Sequence, residues 1–146
     1  MLTELGKQQA FLTGRRIAEM IRGVDESFGP CNVKVVRVSD MTRAKQTADI
    51  IAAHLPASVE RADPDPLLNE GRPAHTIPGG PARASIIEAT DKAHSRIEEA
   101  FEKLFYRAQT KENEPEDGKD DDKVQNLHEF EIIVCHANVI RYFLCR

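Results

Sequence analysis

Residues Phe130 to Arg146 read FEIIVCHANVIRYFLCR, and this stretch decides the fold. It opens with a short apolar run rich in β-branched side chains, which predicts a strand buried on both faces of a parallel sheet. His136 follows the strand, and residues 137–144 predict a helix packed back on the sheet. The imidazole would then lie at the carboxyl edge of the sheet, where open α/β sheets bind ligands and helix N–H groups favour an anion. The alternative is a buried histidine hydrogen-bonded to the backbone.

The rest of the chain continues this alternation of helices and strands. Apolar spacing predicts a first helix over about residues 4–22, with Thr3 as its N-cap, and a third helix over 86–108. A second helix, capped by Ser39 or Asp40, would end before Pro56. β-branched residues predict a strand at 33–38 and a shorter one near 58–62. The order favours an α/β domain with a mainly parallel sheet.

Composition places the chain among ordinary single-domain proteins and excludes several classes of function. It has 146 residues, of which 40% are hydrophobic and 30% charged. No basic face stands out, so we expect no nucleic-acid partner. No apolar run is long enough to span a bilayer. The three cysteines have neither CxxC nor zinc spacing, which indicates reduced thiols in an intracellular protein and no metal site.

The net charge of −4 is concentrated in one segment. Residues 111–123, KENEPEDGKDDDK, hold seven acidic and three basic side chains, so the rest of the chain is neutral. Low hydrophobicity and clustered charge predict a flexible acidic insertion over residues 109–126. The segment lacks the alternating ligands and glycine of a calcium loop, so we assign it no metal.

Two further charged residues are candidates for a site, and each also has an ordinary interpretation. Arg43 occupies the first turn of the second helix, where the helix dipole disfavours a cation. It is either a solvated arginine or one that faces an anion at that helix terminus. Glu70 lies in a region rich in proline and glycine, residues 56–83, where Leu67 and Leu68 could anchor the chain in the core. Taken alone, Glu70 would be a solvated surface acid.

Three stretches together resemble the histidine phosphatase family, which has the phosphoglycerate mutase-like fold. The first, residues 2–10, reads LTELGKQQA and opens the first helix. The second, residues 39–48, reads SDMTRAKQTA, and the third, residues 135–142, reads CHANVIRY. Residues 68–71, LNEG, fall between the last two. Within the family, the match is closest to mitochondrial serine/threonine protein phosphatases, and it extends over the whole chain.

The resemblance implies a three-layer α/β sandwich and a phosphatase that works through a phosphohistidine, without a cofactor. Arg43 matches the family's phosphate-binding arginine, and its planar fork suits phosphate oxygens. His136 matches the second active-site histidine, which donates to the phosphate. Glu70 matches the general acid that protonates the leaving oxygen. A phosphoprotein substrate and a mitochondrial location, associated with the outer or inner membrane, are implied in the same way.

The chain also departs from the family pattern. The family's nucleophile lies in an Arg-His-Gly tripeptide on a central strand before the first helix, and none of the five histidines here follows an arginine. The family also continues with further strands beyond the position of Arg146. We therefore expect residues 1–146 to be a partial histidine phosphatase domain, truncated at both ends. Membrane anchoring and homo-oligomerisation would depend on segments that these residues do not include.

Three functions are compatible with these residues. A serine/threonine protein phosphatase, of which this chain supplies a part without the nucleophile, agrees best with the resemblance. A small-molecule phosphatase or mutase of the same fold is the second, because fold does not fix substrate. The third is a catalytically inactive protein that binds phosphate or a partner, which the missing nucleophile would favour.

Overall fold

The computed structural model describes residues 1–24, 31–72, 84–105 and 129–146. Its helices are α1 (Glu4–Ile21), α2 (Thr42–Ala52), α3 (Ala84–Leu104) and α4 (Ala137–Cys145). Its strands are β1 (Asn32–Val38), β2 (Glu60–Arg61) and β3 (Glu129–Val134), and a single 3-10 turn spans Pro66–Leu68. The predicted acidic insertion at 109–126 lies outside the described residues.

The described strands form one parallel sheet in the order β2-β1-β3. Strand β1 is central and has more buried side chains than either neighbouring strand. Two of them, Val36 and Val38, pack against Ala44 and Ala48 of α2. In the register between β1 and β3, Val38 faces Val134, so both strands end at the same level. The α/β prediction with a parallel sheet is confirmed.

The helices lie in two layers, one on each face of the sheet. The chain passes from β1 through α2 to β2, which lies on one side of β1. It then passes from β2 through α3 to β3, which lies on the other side of β1, so the two connections run in opposite directions across the sheet. Because such crossovers are right-handed, α2 and α3 are placed on opposite faces. Helix α1 packs on α2. Helix α4 contacts α3, with the rings of Phe101 and Phe143 at 6.0 Å. The predicted three-layer sandwich is therefore confirmed.

Helix α1 begins as predicted, because the Thr3 side chain accepts a hydrogen bond from the Gly6 N–H at 3.1 Å. Its close approach to α2 depends on Gly14, which is buried. A Cβ atom at this position would lie 2.7 Å from His54 Cδ2 and 3.2 Å from the backbone oxygen of Ile51. Because one of these neighbours is backbone, a larger residue would have to push the two helices apart.

We expect Gly14→Ala to lower the free energy of unfolding by about 1–3 kcal/mol, the usual cost of overpacking. This loss opposes the gain of about 1 kcal/mol that alanine gives over glycine inside a helix. Urea unfolding monitored by circular dichroism measures the difference. Gln8→Ala, at an exposed position of the same helix, should leave the free energy of unfolding nearly unchanged. A Gly14→Ala variant as stable as this control would show that the helices adjust without cost.

Two local predictions were wrong. Strand β3 is not buried on both faces: Phe130 is 40% exposed, and the strand contains no fully buried residue. It is one of the two edge strands of the described sheet. Its acidic residues form ion pairs with β1, at 2.9 Å for Lys34–Glu129 and 2.7 Å for Arg37–Glu131. Helix α2 is capped by Met41, without a side-chain hydrogen bond, rather than by Ser39 or Asp40. The hydroxyl of Ser39 is engaged elsewhere, as described below.

Among the described residues, no helix combines the length and the apolar character that crossing a bilayer requires.

Candidate functional site

The carboxyl ends of β1 and β3 lie side by side and carry polar residues into one region. Ser39 follows β1 directly, and its N–H donates to the carbonyl of Val134, the last residue of β3, at 3.0 Å. Cys135 and His136 follow β3 and lead into α4. The register of the sheet therefore brings Ser39 and His136 together, although they are separated by 97 positions in the sequence.

His136 is buried, with 6% of its surface exposed. It is the N-cap residue of α4 by its backbone, but its side chain makes no capping hydrogen bond. The ring is therefore free to point at the sheet edge, where Nε2 lies 2.9 Å from Ser39 Oγ. The histidine is buried, as its ordinary interpretation predicts, but its ring is hydrogen-bonded to a side chain rather than to the backbone.

The Ser39 hydroxyl has two further polar neighbours. It donates to Asn69 Oδ1 at 2.6 Å and accepts from the Met41 N–H at 3.2 Å. Ser39 is completely buried. These contacts join the ends of β1 and β3 to the segment that carries Glu70.

Arg43 and Glu70 both act electrostatically on the His136 ring. Burial lowers the pKa of His136, Arg43 and Arg96 lower it further, and Glu70 raises it. Arg43 lies exposed in the first turn of α2, and Glu70 is half-buried. The charges of Arg43, Arg96 and Glu70 therefore all act on the His136 imidazole. Burial also raises the pKa of the neighbouring Cys135 thiol, so this cysteine stays protonated.

The backbone around Glu70 is fixed by local and long-range contacts. The Asp65 carboxylate accepts from the Leu67 N–H at 2.8 Å and starts the 3-10 turn. Leu68 is completely buried, so the predicted anchoring of this segment in the core is confirmed for that residue. Glu70 Oε1 accepts from the Gly71 N–H at 3.0 Å. Glu70 is therefore held near the sheet edge rather than projecting freely into water.

Arg96 of α3 fastens the same segment through three backbone carbonyls. Its Nη1 donates to the oxygens of Pro66 at 3.2 Å and Leu67 at 2.5 Å, and its Nη2 donates to the oxygen of Glu70 at 3.2 Å. Gly71 permits this approach, because a Cβ there would lie 2.8 Å from Arg96 Nη2. Burial lowers the pKa of Arg96, and the Glu70 charge raises it.

Ser39, Asn69 and Arg96 are the residues of this site that the sequence did not single out. The sequence pattern predicts Ser39 as a helix cap, although its position directly after a buried strand also indicates a place at the sheet edge. Asn69 directly precedes Glu70 in a segment whose sequence is typical of a loop. Arg96 lies beside the buried Ile97 on a long amphipathic helix, where an arginine is unremarkable. No cluster of three or more histidine, cysteine, aspartate or glutamate side chains suited to a metal occurs among the described residues.

A solved structure shares both this architecture and a substantial part of the sequence. The phosphoglycerate mutase of Plasmodium falciparum superimposes with a TM-score of 0.64 at 35% identity, over 99% of this chain and 69% of that protein. The chain belongs to the phosphoglycerate mutase-like family, the histidine phosphatases. The resemblance of its three motifs to this family is thereby confirmed. No family model matches the chain.

Curated relatives within the histidine phosphatases cover the full chain. The serine/threonine-protein phosphatase Pgam5, mitochondrial, of Caenorhabditis elegans is 37% identical over 146 residues, which are 100% of this chain and 43% of that protein. The proteins of the same name from mouse and human are each 40% identical, over 99% of this chain and 42% of their own length. The chain thus spans less than half the length of the curated relatives it matches.

Proposed function

We propose that the protein is a mitochondrial serine/threonine protein phosphatase and that residues 1–146 supply the phosphate-binding and acid half of its active site. The observation that supports the proposal is the buried His136 at the carboxyl edge of the sheet, with Nε2 2.9 Å from Ser39 Oγ. Burial, Arg43 and Arg96 lower the pKa of this ring, and Glu70 raises it. The relatives from worm, mouse and human support the choice of reaction and location, since each is named as a mitochondrial serine/threonine phosphatase.

Each of the three residues has one role in the proposed reaction. Arg43 binds phosphate oxygens with its guanidinium, His136 donates a hydrogen bond to the phosphate, and Glu70 protonates the leaving serine or threonine oxygen. Phosphoryl transfer depends mainly on positioning and charge stabilisation, which this arrangement provides. The attacking histidine of an Arg-His-Gly tripeptide, which the mechanism also requires, would come from outside these 146 residues. They would then form part of a larger domain, in which other segments provide any membrane anchor or oligomer contact.

A small-molecule substrate is the second candidate, and the solved relative that is a phosphoglycerate mutase favours it. The site residues fit either substrate, because Arg43 and His136 would contact the phosphoryl group and Glu70 would protonate a leaving oxygen that both substrate classes possess. The third candidate, a phosphate-binding protein without catalysis, follows if no nucleophile is supplied. Substrate comparison separates the first two candidates, and absence of turnover even with the nucleophile supplied would favour the third.

The test uses the chain joined to an upstream segment that supplies the Arg-His-Gly strand. We expect kcat/KM for phosphoserine and phosphothreonine peptides to exceed that for 3-phosphoglycerate and sugar phosphates by about tenfold or more. Phosphate release is measured for both substrate classes on the same preparation. A preference for the small molecules would assign the protein to the second candidate function.

A further inference from the structure

The hydroxyl of Ser39 has one hydrogen and three polar neighbours, and this count determines the direction of each bond. The Met41 N–H is a donor, at 3.2 Å. Asn69 Oδ1 is an acceptor, at 2.6 Å, so it takes the hydroxyl hydrogen. The remaining contact, 2.9 Å to His136 Nε2, must then be donated by the imidazole. The proton of the neutral ring is therefore on Nε2, and Nδ1 carries a lone pair.

We propose that Ser39 and Asn69 are positioning residues that fix the proton of His136 on Nε2 and leave Nδ1 as the nitrogen that meets the substrate phosphate. The second half of this proposal rests on the proposed function, whereas the first half does not. Ser39 is completely buried and His136 is 6% exposed, so water cannot readily replace the bonds between them. Asn69 directly precedes Glu70, which couples this hydrogen-bond chain to the segment that carries the acid.

The fixed proton has a consequence for phosphate binding. A neutral ring would meet an unprotonated phosphate oxygen lone pair to lone pair through Nδ1, so His136 can donate to such an oxygen only after it takes up a second proton. Burial, Arg43 of α2 and Arg96 of α3 lower the pKa of the free ring, and Glu70 raises it. A bound phosphate dianion adds negative charge that raises this pKa. Binding of phosphate should therefore be accompanied by uptake of one proton.

Two substitutions of Asn69 separate proton placement from a general effect on the fold. Asn69→Leu removes the acceptor of the Ser39 hydroxyl, whose hydrogen can then turn to Nε2 and drive the proton of the ring to Nδ1. Asn69→Asp keeps an acceptor at nearly the same place, so the proton should stay on Nε2. Its new charge should raise the pKa of His136. Ser39→Ala gives an independent variant, in which the ring should lose its preference for either nitrogen.

The experiment is two-bond ¹H–¹⁵N correlation NMR of the histidine rings in residues 1–146 and the three variants, at a pH where the rings are neutral. A variant that fails to fold is measured instead in the chain carrying the upstream segment. We expect the Nε2–H form in the unaltered protein and in Asn69→Asp, and the Nδ1–H form in Asn69→Leu. An Nδ1–H ring in the unaltered protein, or an unchanged ring in Asn69→Leu, would overturn the proposal, because a merely structural role of Asn69 leaves the tautomer as it is.

Titration of residues 1–146 with phenyl phosphate at about pH 8, where this monoester is a dianion without a hydroxyl, distinguishes this proposal from the proposed function. We expect this phosphate to bind with uptake of one proton and Arg43→Ala to abolish that binding, whereas Arg15→Ala, an exposed arginine on α1, should not affect it. If phosphate does not bind but the ring shows the expected tautomers, the proposed function is rejected and the roles of Ser39 and Asn69 remain supported. Phosphate binding without proton uptake would reject the assignment of Nδ1 to the phosphate.

Discussion

Purified residues 1–146 should not hydrolyse p-nitrophenyl phosphate, whereas the same residues joined to an upstream Arg-His-Gly strand should do so. Arg43, Glu70 and His136 can bind and polarise a phosphate, but in the proposed mechanism none of them attacks phosphorus. His136 is poorly suited to replace the nucleophile, because in the proposed mechanism Nδ1 is protonated when phosphate binds and has no lone pair with which to attack phosphorus. Loss of a hydrolase nucleophile lowers kcat by a factor on the order of 10⁶. The two proteins should differ on that scale in release of p-nitrophenol.

The matched control is the longer protein with the histidine of its Arg-His-Gly tripeptide changed to alanine, which restores the strand without the nucleophile. It should be as inactive as residues 1–146. Turnover by residues 1–146 that His136→Ala abolishes would assign the nucleophile to His136 instead. Inactivity of the longer protein toward every phosphate ester would favour the binding function.

Glu70→Gln in the longer protein should slow hydrolysis of alkyl phosphates by about 10²–10⁴-fold, the usual contribution of a general acid. Aryl phosphates should be affected far less, because a phenolate leaves without protonation whereas a serine alkoxide requires a proton. The comparison is made between a phosphoserine peptide and p-nitrophenyl phosphate under single-turnover conditions, so that the chemical step is measured.

Glu88→Gln, at an exposed position of α3, removes the same charge away from the site and should change neither rate. Equal losses on both substrates in Glu70→Gln would indicate that Glu70 acts through phosphate binding or through the position of His136. Such a result would remove Glu70 from the acid role while leaving Arg43 unaffected.

The sequence predicted those features that depend on local pattern. The helices, the parallel strands and the position of His136 at a strand end all follow from residue spacing within one segment. The burial of β3 was predicted wrongly, because burial depends on which strands and helices lie beside a strand, and the side chains of β3 do not encode this. Its apolar run favoured burial on both faces, whereas the strand is exposed in its first half and lies at an edge of the described sheet.

The hydrogen-bonded surroundings of the site could not be predicted, because they join residues far apart in the chain. Ser39 meets Asn69 across 30 positions and His136 across 97. Arg96 meets the carbonyl of Glu70 across 26 positions. These pairings arise from the sheet register and from the packing of α3 on the 3-10 turn, neither of which has a sequence signal of its own. The sequence was sufficient to identify the charged residues that match a family motif. It was not sufficient to identify the residues that hold them in place.

The attachment of the Glu70 segment through Arg96 bears on how a protein with the proposed function can change during evolution. Arg43, Ser39 and His136 are set by two neighbouring strand ends, whereas the backbone of Glu70 is tied to a helix. Substitutions in α3 that move Arg96 would therefore displace the Glu70 backbone directly and reach His136 only through the hydrogen bonds of Asn69 and Ser39. Under the proposed function, changes around Arg96 would alter the choice of leaving alcohol more than the binding of the phosphoryl group. Divergent specificities within one fold would then begin at positions facing Arg96 rather than at the phosphate.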